Sequence, residues 1–328
     1  MRRSKMKIYK LKGYYLKKME SLAGSFKELG LVLVTVPVYT ILILAELFFS
    51  NQQHRDADNH KSMYSFRDST TNLYLTLSQM AVDVATRWIP TYLAFDFCYK
   101  YHFFTIENPV LYWFWLLVLQ DFFFYWIHRT EHSSRFFWAV HATHHSSEYF
   151  NLSVGFRSSV LEPLYRFVFY LPLPFLGFDA KDIMLSFSIT QIYGLLVHTQ
   201  YIKRMPVFEW IFVTPAHHRV HHARNVQYLD KNMGMFLIIW DKMFGTFQDE
   251  LDGIKINYGL VGGETKNLNG PVRVIFHEFI DIWKDFFVKH KTLPLSMRLK
   301  YVFAPPGWSH DGSTKTSDEL REEFLVDK

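Results

Sequence analysis

The apolar residues of this chain fall in long blocks rather than short alternations, a pattern that predicts helices and argues against strands. Leu29 to Phe49, LGLVLVTVPVYTILILAELFF, carries one charge, Glu46, near its end and is long enough to cross a bilayer. Its length and the lack of a small-residue cleavage site after it argue for a retained span rather than a leader. A second block runs from Leu73 to about Phe104, interrupted by Pro90. A third, PVLYWFWLLVLQDFFFYWI, runs from Pro109 to Ile127. Two shorter pieces, about Val160 to Leu171 and Ile183 to Val197, flank the turn-rich LPLPFLGFDAKD and predict a hairpin that enters the membrane and returns.

The expected fold is therefore an all-α integral membrane protein with about four or five transmembrane helices. A helical domain should cap them on one face. Residues 1–28 form a basic tail, 29–127 the transmembrane helices, 128–258 a histidine-rich catalytic region containing the hairpin (about 160–197), and 259–328 an interfacial helix with a polar tail. The first 27 residues hold nine Lys and Arg against one acid, Glu20, with apolar residues at helical spacing. Such a tail suits either a helix lying on an anionic membrane surface or a positive flank that orients the first span. The rest of the chain is close to charge-balanced, so nucleic acid is not an expected partner. The lone cysteine, Cys98, excludes an intrachain disulfide and a thiolate metal motif.

Ten of the sixteen histidines lie between His128 and His222. They form HRTEH (His128, His132), HATHH (His141, His144, His145), His198, and HHRVHH (His217, His218, His221, His222). Spacings of three and four put imidazoles on one helix face, where they can converge on an ion. His132 and His141 are nine residues apart, opposite faces of a continuous helix at about 100° per residue. A break is needed between them, and Ser133 or Ser134 can cap a new helix beginning at Arg135. Thr214 and Pro215 likewise make a cap and first-turn pair ahead of the last cluster. His128 follows the third apolar block and His198 ends the returning arm of the hairpin, so all four groups should meet on one membrane face.

Imidazole suits zinc, copper, iron and nickel, so ligand type does not choose the metal. A tetrahedral zinc needs about four ligands, so nine or ten histidines imply two ions. The general-base carboxylate of HExxH zinc hydrolases is missing, and soluble di-iron proteins use Glu and Glu-x-x-His instead.

The set HRTEH, HATHHSSEYFNLS, His198, HHRVHHARN and DKNMGMFLIIWDKMFGTF resembles the fatty acid hydroxylase and sterol desaturase superfamily of membrane di-iron enzymes, over about Leu73 to Tyr258. Within it the context is most similar to the alkylglycerol monooxygenase branch. That resemblance implies two iron ions that activate O2 to hydroxylate, or desaturate, a lipid C–H bond, the lipid being a sterol, fatty acyl chain or alkyl ether. It implies the ligands His128, His132, His141, His144, His145, His198, His218, His221 and His222, with His217 left beside them or at the surface. Zinc can replace iron in purified material. The electron donor would be external, a reduced pterin or a redox protein chain. The branch carries a glutamate just after the second histidine of the first box; here that position is Ser133, with Glu131 before the histidine, which weakens the case for a pterin.

Ligating histidines need their second ring nitrogen held by carboxylates or carbonyls. Candidates are Asp121, Glu148, Asn151, Asn225, Asp230, Asn232 and Asp241. Asp121 is the foremost, because a carboxylate inside an apolar segment is costly without a partner. It lies about 10 Å from His128 by helix rise and is expected to orient a histidine of another box. Phe122, Phe123, Phe124 and Tyr125 either wall the lipid chain or simply face lipid and neighbouring helices.

Positive-inside counting puts the basic tail in the cytoplasm, yet three full crossings before His128 would put the boxes outside, whereas the family holds them on the cytoplasmic face. Asp83, Arg87 and Asp96 make Leu73 to Phe104 a poor simple span, so we expect it to split at Pro90 and return. Two other classes remain. A metal-transport protein would need ligands distributed across the membrane, and a zinc-dependent lipid hydrolase would work without oxygen.

Overall fold

Asn108 starts the helix that organises the site. Its side chain accepts the amide N–H groups of Val110 (2.9 Å) and Leu111 (3.1 Å), and Pro109 in the first turn has no N–H to leave unpaired. The computed structural model describes residues 31, 33–52, 63–86, 91–261, 268 and 270–326. The helices are α1 (Leu33–Gln52), α2 (Phe66–Thr86), α3 (Tyr92–Tyr99), α4 (Pro109–Ser133), α5 (Arg135–His145), α6 (Pro163–Tyr170), α7 (Pro172–Phe175), α8 (Ala180–Leu196), α9 (Pro215–His221), α10 (Ile239–Phe244), α11 (Pro271–Lys284), α12 (Leu295–Phe303) and α13 (Ser317–Val326). Among the described residues the only β pairing is two isolated bridges, Phe212 with Leu237 and Ala223 with Tyr258. The all-helical expectation is met.

Two of the described helices, α1 and α4, are long and apolar enough to cross a membrane. On α1, Leu33, Val34, Ile41, Leu44, Phe48 and Phe49 are all exposed, an arrangement that water would disfavour and lipid would not. The arms of the expected hairpin are shorter. At 17 residues α8 reaches about 25 Å, less than a hydrocarbon core, and α6 is half that length. Two helices, α2 and α3, are described in and around the second apolar block, and Arg87 and Pro90, where the split is expected, lie outside the described residues. The basic tail also lies outside them.

α4 changes character along its length. Val110, Leu111, Phe114 and Trp115 are exposed, whereas Gln120, Asp121, Phe124, Tyr125, Ile127, His128, Glu131 and His132 are buried. Its middle packs into a core of Phe95, Leu116, Phe124, Ile127, Leu173 and Ile183, contributed by α3, α4, α7 and α8. The helix ends as the histidine spacing requires. Ser133 is its last residue, Ser134 is extended (φ −130°, ψ 123°), and α5 begins at Arg135, turning His141 back toward His128. α5 lies against α4 and α11, and Arg135 clasps Asp285 at 2.7 Å.

The buried carboxylate of α1, Glu46, accepts hydrogen bonds from the Leu152 amide, the Thr199 hydroxyl and the Tyr64 hydroxyl. Tyr39 donates to the carbonyls of Leu152 (3.0 Å) and Leu195 (2.7 Å). The first apolar helix is thereby fastened to the two loops that follow the second histidine box and carry His198. Partners of this kind are what a charge in an apolar helix requires.

Candidate metal centre

Nine histidines converge in two abutting groups. His128, His132, His141, His145 and His221 form one, and His144, His198, His218 and His222 form the other, with the ligand atoms of each group within 4.8 Å of one another. His145 and His222 stack across the boundary at 4.5 Å between ring centroids. All nine sequence candidates fall within these two groups. α4 supplies His128 and His132, α5 supplies His141, His144 and His145, and α9 with the cap residue that follows it supplies His218, His221 and His222. His198 follows the end of α8.

Five of the outward ring nitrogens are held by hydrogen-bond acceptors. His128 Nδ1 donates to the Met233 carbonyl (2.7 Å), His221 Nδ1 to that of Lys231 (3.0 Å), His144 Nδ1 to that of Arg157 (2.9 Å) and His198 Nδ1 to that of Gly194 (2.7 Å). His132 Nδ1 meets Asp230 Oδ1 at 3.0 Å, and His141 Nδ1 lies 3.0 Å from Glu131 Oε2. With the ring protons drawn outward, the Nε2 lone pairs point at one another. His128 and His141 Nε2 are 3.0 Å apart, His141 and His145 Nε2 3.1 Å, His198 and His218 Nε2 2.9 Å, and His218 and His222 Nε2 3.2 Å. Metal–nitrogen bonds of about 2.05 Å separate neighbouring ligands by about 2.9 to 3.4 Å, depending on the coordination angle. The buried Nε2 atoms of His132 and His221 have no hydrogen-bond partner at all. Crowded, unpaired lone pairs at ligand spacing fit a cation in each group.

Electrostatics points the same way. His141, His145, His218, His221 and His222 are held well below the usual histidine range, first by burial and then by repulsion from neighbouring imidazoles. Burial lowers His144 to about 4. The rings are therefore neutral at physiological pH, as metal ligation requires. Asp230 lies below the usual carboxylate range: burial opposes ionisation, but the hydrogen bonds from His132 and Ser317 and the charge of Arg321 outweigh it.

Of the proposed supporting residues, only Asp230 touches a ligand. Asp121 does not orient a histidine; it accepts the amides of Phe236 and Leu237 and the indole N–H of Trp240, each at 3.0 Å. Asp241 accepts the amides of Met233 (2.7 Å) and Gly234 (2.8 Å) and the Thr246 hydroxyl (2.6 Å). Together they pin the loop whose Met233 carbonyl holds His128. Asn151 caps a short 3-10 turn and donates to the Met63 carbonyl. Asn225 bridges Lys255 and Asn257. Asn232 has a left-handed backbone (φ 57°) and ties the His217 carbonyl to Gln248. Glu148 is half-buried and belongs to neither histidine group.

His217, expected beside the ligands or at the surface, is buried and outside both groups. It lies near Glu209 and Asp249, but its Nδ1 accepts the Thr214 amide N–H (3.3 Å) in a capping box at the start of α9. Glu209 Oε1 in turn accepts from the Met205 amide and the Thr214 hydroxyl.

The residues that sequence reasoning missed are Glu131, Tyr165 and Arg157. The Tyr165 hydroxyl donates to Glu131 Oε1, and Arg157 lends its carbonyl to His144 while its guanidinium pairs with Asp68 (3.1 Å). Glu131 lies in the first box itself and is 2 % exposed. Expecting a carboxylate between two ligands on a buried helix to need a partner would have found it. Of the four aromatic candidates on α4, Phe124 packs against His128 (5.4 Å), while Phe122 and Tyr125 pack against Phe244. Phe150 stacks on His198 and on Tyr258.

The fatty acid hydroxylase family matches residues 113–246, the stretch that carries all nine converging histidines. Residues 113–246 form a fatty acid hydroxylase domain. Alkylglycerol monooxygenase of Homo sapiens is 40 % identical over 160 residues, 48 % of this chain and 34 % of that protein. The Caenorhabditis elegans protein of the same name is 32 % identical over 203 residues, 60 % of this chain and 39 % of its own length. An ornithine lipid hydroxylase of Rhizobium tropici is 30 % identical over 111 residues, 34 % of each chain. The matched stretch thus spans about a third of the length of these curated relatives, and the domain is similar to the alkylglycerol monooxygenase branch. No solved structure matches the chain at a significant level.

Proposed function

We propose that this protein is a membrane-embedded lipid hydroxylase that uses two iron ions and O2 to oxidise a C–H bond of a fatty acyl, alkyl ether or sterol lipid. The observation that carries the reading is the pair of histidine groups within the fatty acid hydroxylase domain, at the buried end of an apolar helix. When bound, the ions supply the redox chemistry that O2 needs to attack an unactivated C–H bond. The protein's own residues do the rest. Backbone carbonyls and Asp230 keep ring protons at Nδ1 and leave Nε2 free to ligate, and Glu131 sets its carboxylate 3.0 Å from His141 Nδ1. Phe124 and Phe150 line the imidazoles with apolar surface that excludes water. The exposed apolar faces of α1 and α4 support a site at a bilayer, and the superfamily resemblance favours its cytoplasmic side. The electron donor is external, a reduced pterin or a redox protein.

A metal conduit is disfavoured because all nine ligands meet at one end of α4 rather than along it. The test is comparative lipid mass spectrometry of membranes with and without the protein under 18O2. One 18O atom in a lipid hydroxyl is the expected result. Label entering from water would mean hydrolysis, and an iron-loaded, reduced preparation inert toward every lipid class would overturn the assignment.

A further inference from the structure

The two histidine groups differ in what stands behind them. In the five-histidine group, His132 and His141 face the carboxylates Asp230 and Glu131, each at 3.0 Å, while His128 and His221 face carbonyls. In the four-histidine group, His144 and His198 face only the carbonyls of Arg157 and Gly194. The carboxylates on that side are engaged elsewhere: Asp68 by Arg157 and Ser147, and Glu46 by Leu152, Thr199 and Tyr64. Instead of an anion, the cationic side chain of Arg157, itself buried, follows the carbonyl that holds His144.

A carboxylate behind an imidazole makes the ligating nitrogen more basic and offsets the charge of a divalent ion, and each such partner is worth roughly 10- to 100-fold in metal affinity. Access differs as well. All five histidines of the first group are buried, whereas His144 leaves the second group partly open.

Building on the dimetal reading above, we propose that the two sites are thermodynamically unequal. The five-histidine site, backed by Glu131 and Asp230, binds its ion first and holds it, and the four-histidine site takes the weaker, exchangeable ion. Tyr165 contributes by donating its hydroxyl to the other oxygen of Glu131, which fixes the carboxylate in its orientation toward His141.

The full chain, stripped of metal in detergent, is titrated with Co(II) and separately with Zn(II) against a chromophoric chelator. Two equivalents are expected, the first at least ten-fold tighter. Glu131→Gln and Asp230→Asn should each weaken the first equivalent by roughly 10- to 100-fold while moving the second by less than about three-fold. His198→Ala should abolish the weak equivalent and spare the tight one, and His132→Ala should do the reverse. This ligand pair decides the matter even where an isosteric variant folds poorly. Equal affinities, loss of the tight ion in His198→Ala, or a parallel shift of both equivalents in Glu131→Gln would overturn the inequality and leave the hydroxylase reading standing. A folded chain that binds no metal would overturn both.

Discussion

Asp121 accepts the indole N–H of Trp240 at 3.0 Å, joining the middle of α4 to the start of α10. The same carboxylate takes the amides of Phe236 and Leu237, so three donors would be orphaned by its removal. Burying an unsatisfied donor costs about 1 to 3 kcal/mol. Asp121→Ala should therefore lower stability by on the order of 3 kcal/mol or more and weaken the site served by His128 through the displaced Met233 carbonyl. Thermal unfolding in detergent and metal content check this together. Full stability with Ala at this position would refute the assigned role.

The metal-free protein should be sensitive to acid. In the folded chain His141, His145, His218, His221 and His222 resist protonation far below their ordinary value, and His144 does so to about 4. The unfolded chain takes up these protons once the pH falls through about 6.5. Unfolding then binds more protons than the native state holds, so stability rises with pH. It is complete above about pH 7.5 and lost steadily from about 6.5 toward 4, at about 1.4 kcal/mol per pH unit for each withheld proton. Denaturant midpoints that stay flat between pH 7 and 5 would contradict this.

His217→Ala should keep both ions. The substitution removes half of a capping box at α9, with an expected loss of about 1 kcal/mol. Metal analysis of the purified variant gives the answer; a missing equivalent would return His217 to the ligand set.

Gly177, in the turn before α8, has φ +100°, and a Cβ there would lie 2.2 Å from the Phe104 carbonyl oxygen. Gly177→Ala therefore adds a backbone clash to an unfavourable conformation and should cost about 1 to 3 kcal/mol. A melting temperature equal to that of the parent would show that the turn yields.

The convergence of the nine histidines was legible in the sequence because helices translate spacing into direction. Three and four residues bring imidazoles to one face, and the nine-residue gap between His132 and His141 required the break that Ser134 makes. The family resemblance rested on those same residues. The partners of the ligands were not legible, with Asp230 the exception. Four of the five acceptors are backbone carbonyls, which every residue type supplies, so no side chain marks them. The remaining carboxylate, Glu131, reaches His141 only because the chain turns back after Ser133. Asp121 misled because its cost inside an apolar segment requires a partner without saying which, and backbone amides 115 and 116 residues away answered it.

By itself, the sequence indicated the helical class, the apolar segments, the nine histidines that converge and the resemblance to the hydroxylase family, since each depends on local period, composition or motif. The tertiary structure decided how the nine divide into groups of five and four, which imidazoles stand on carboxylates, and that His217 caps a helix. These depend on contacts between residues far apart in the chain, whose approach only the packing of α4, α5 and α9 around a common centre sets.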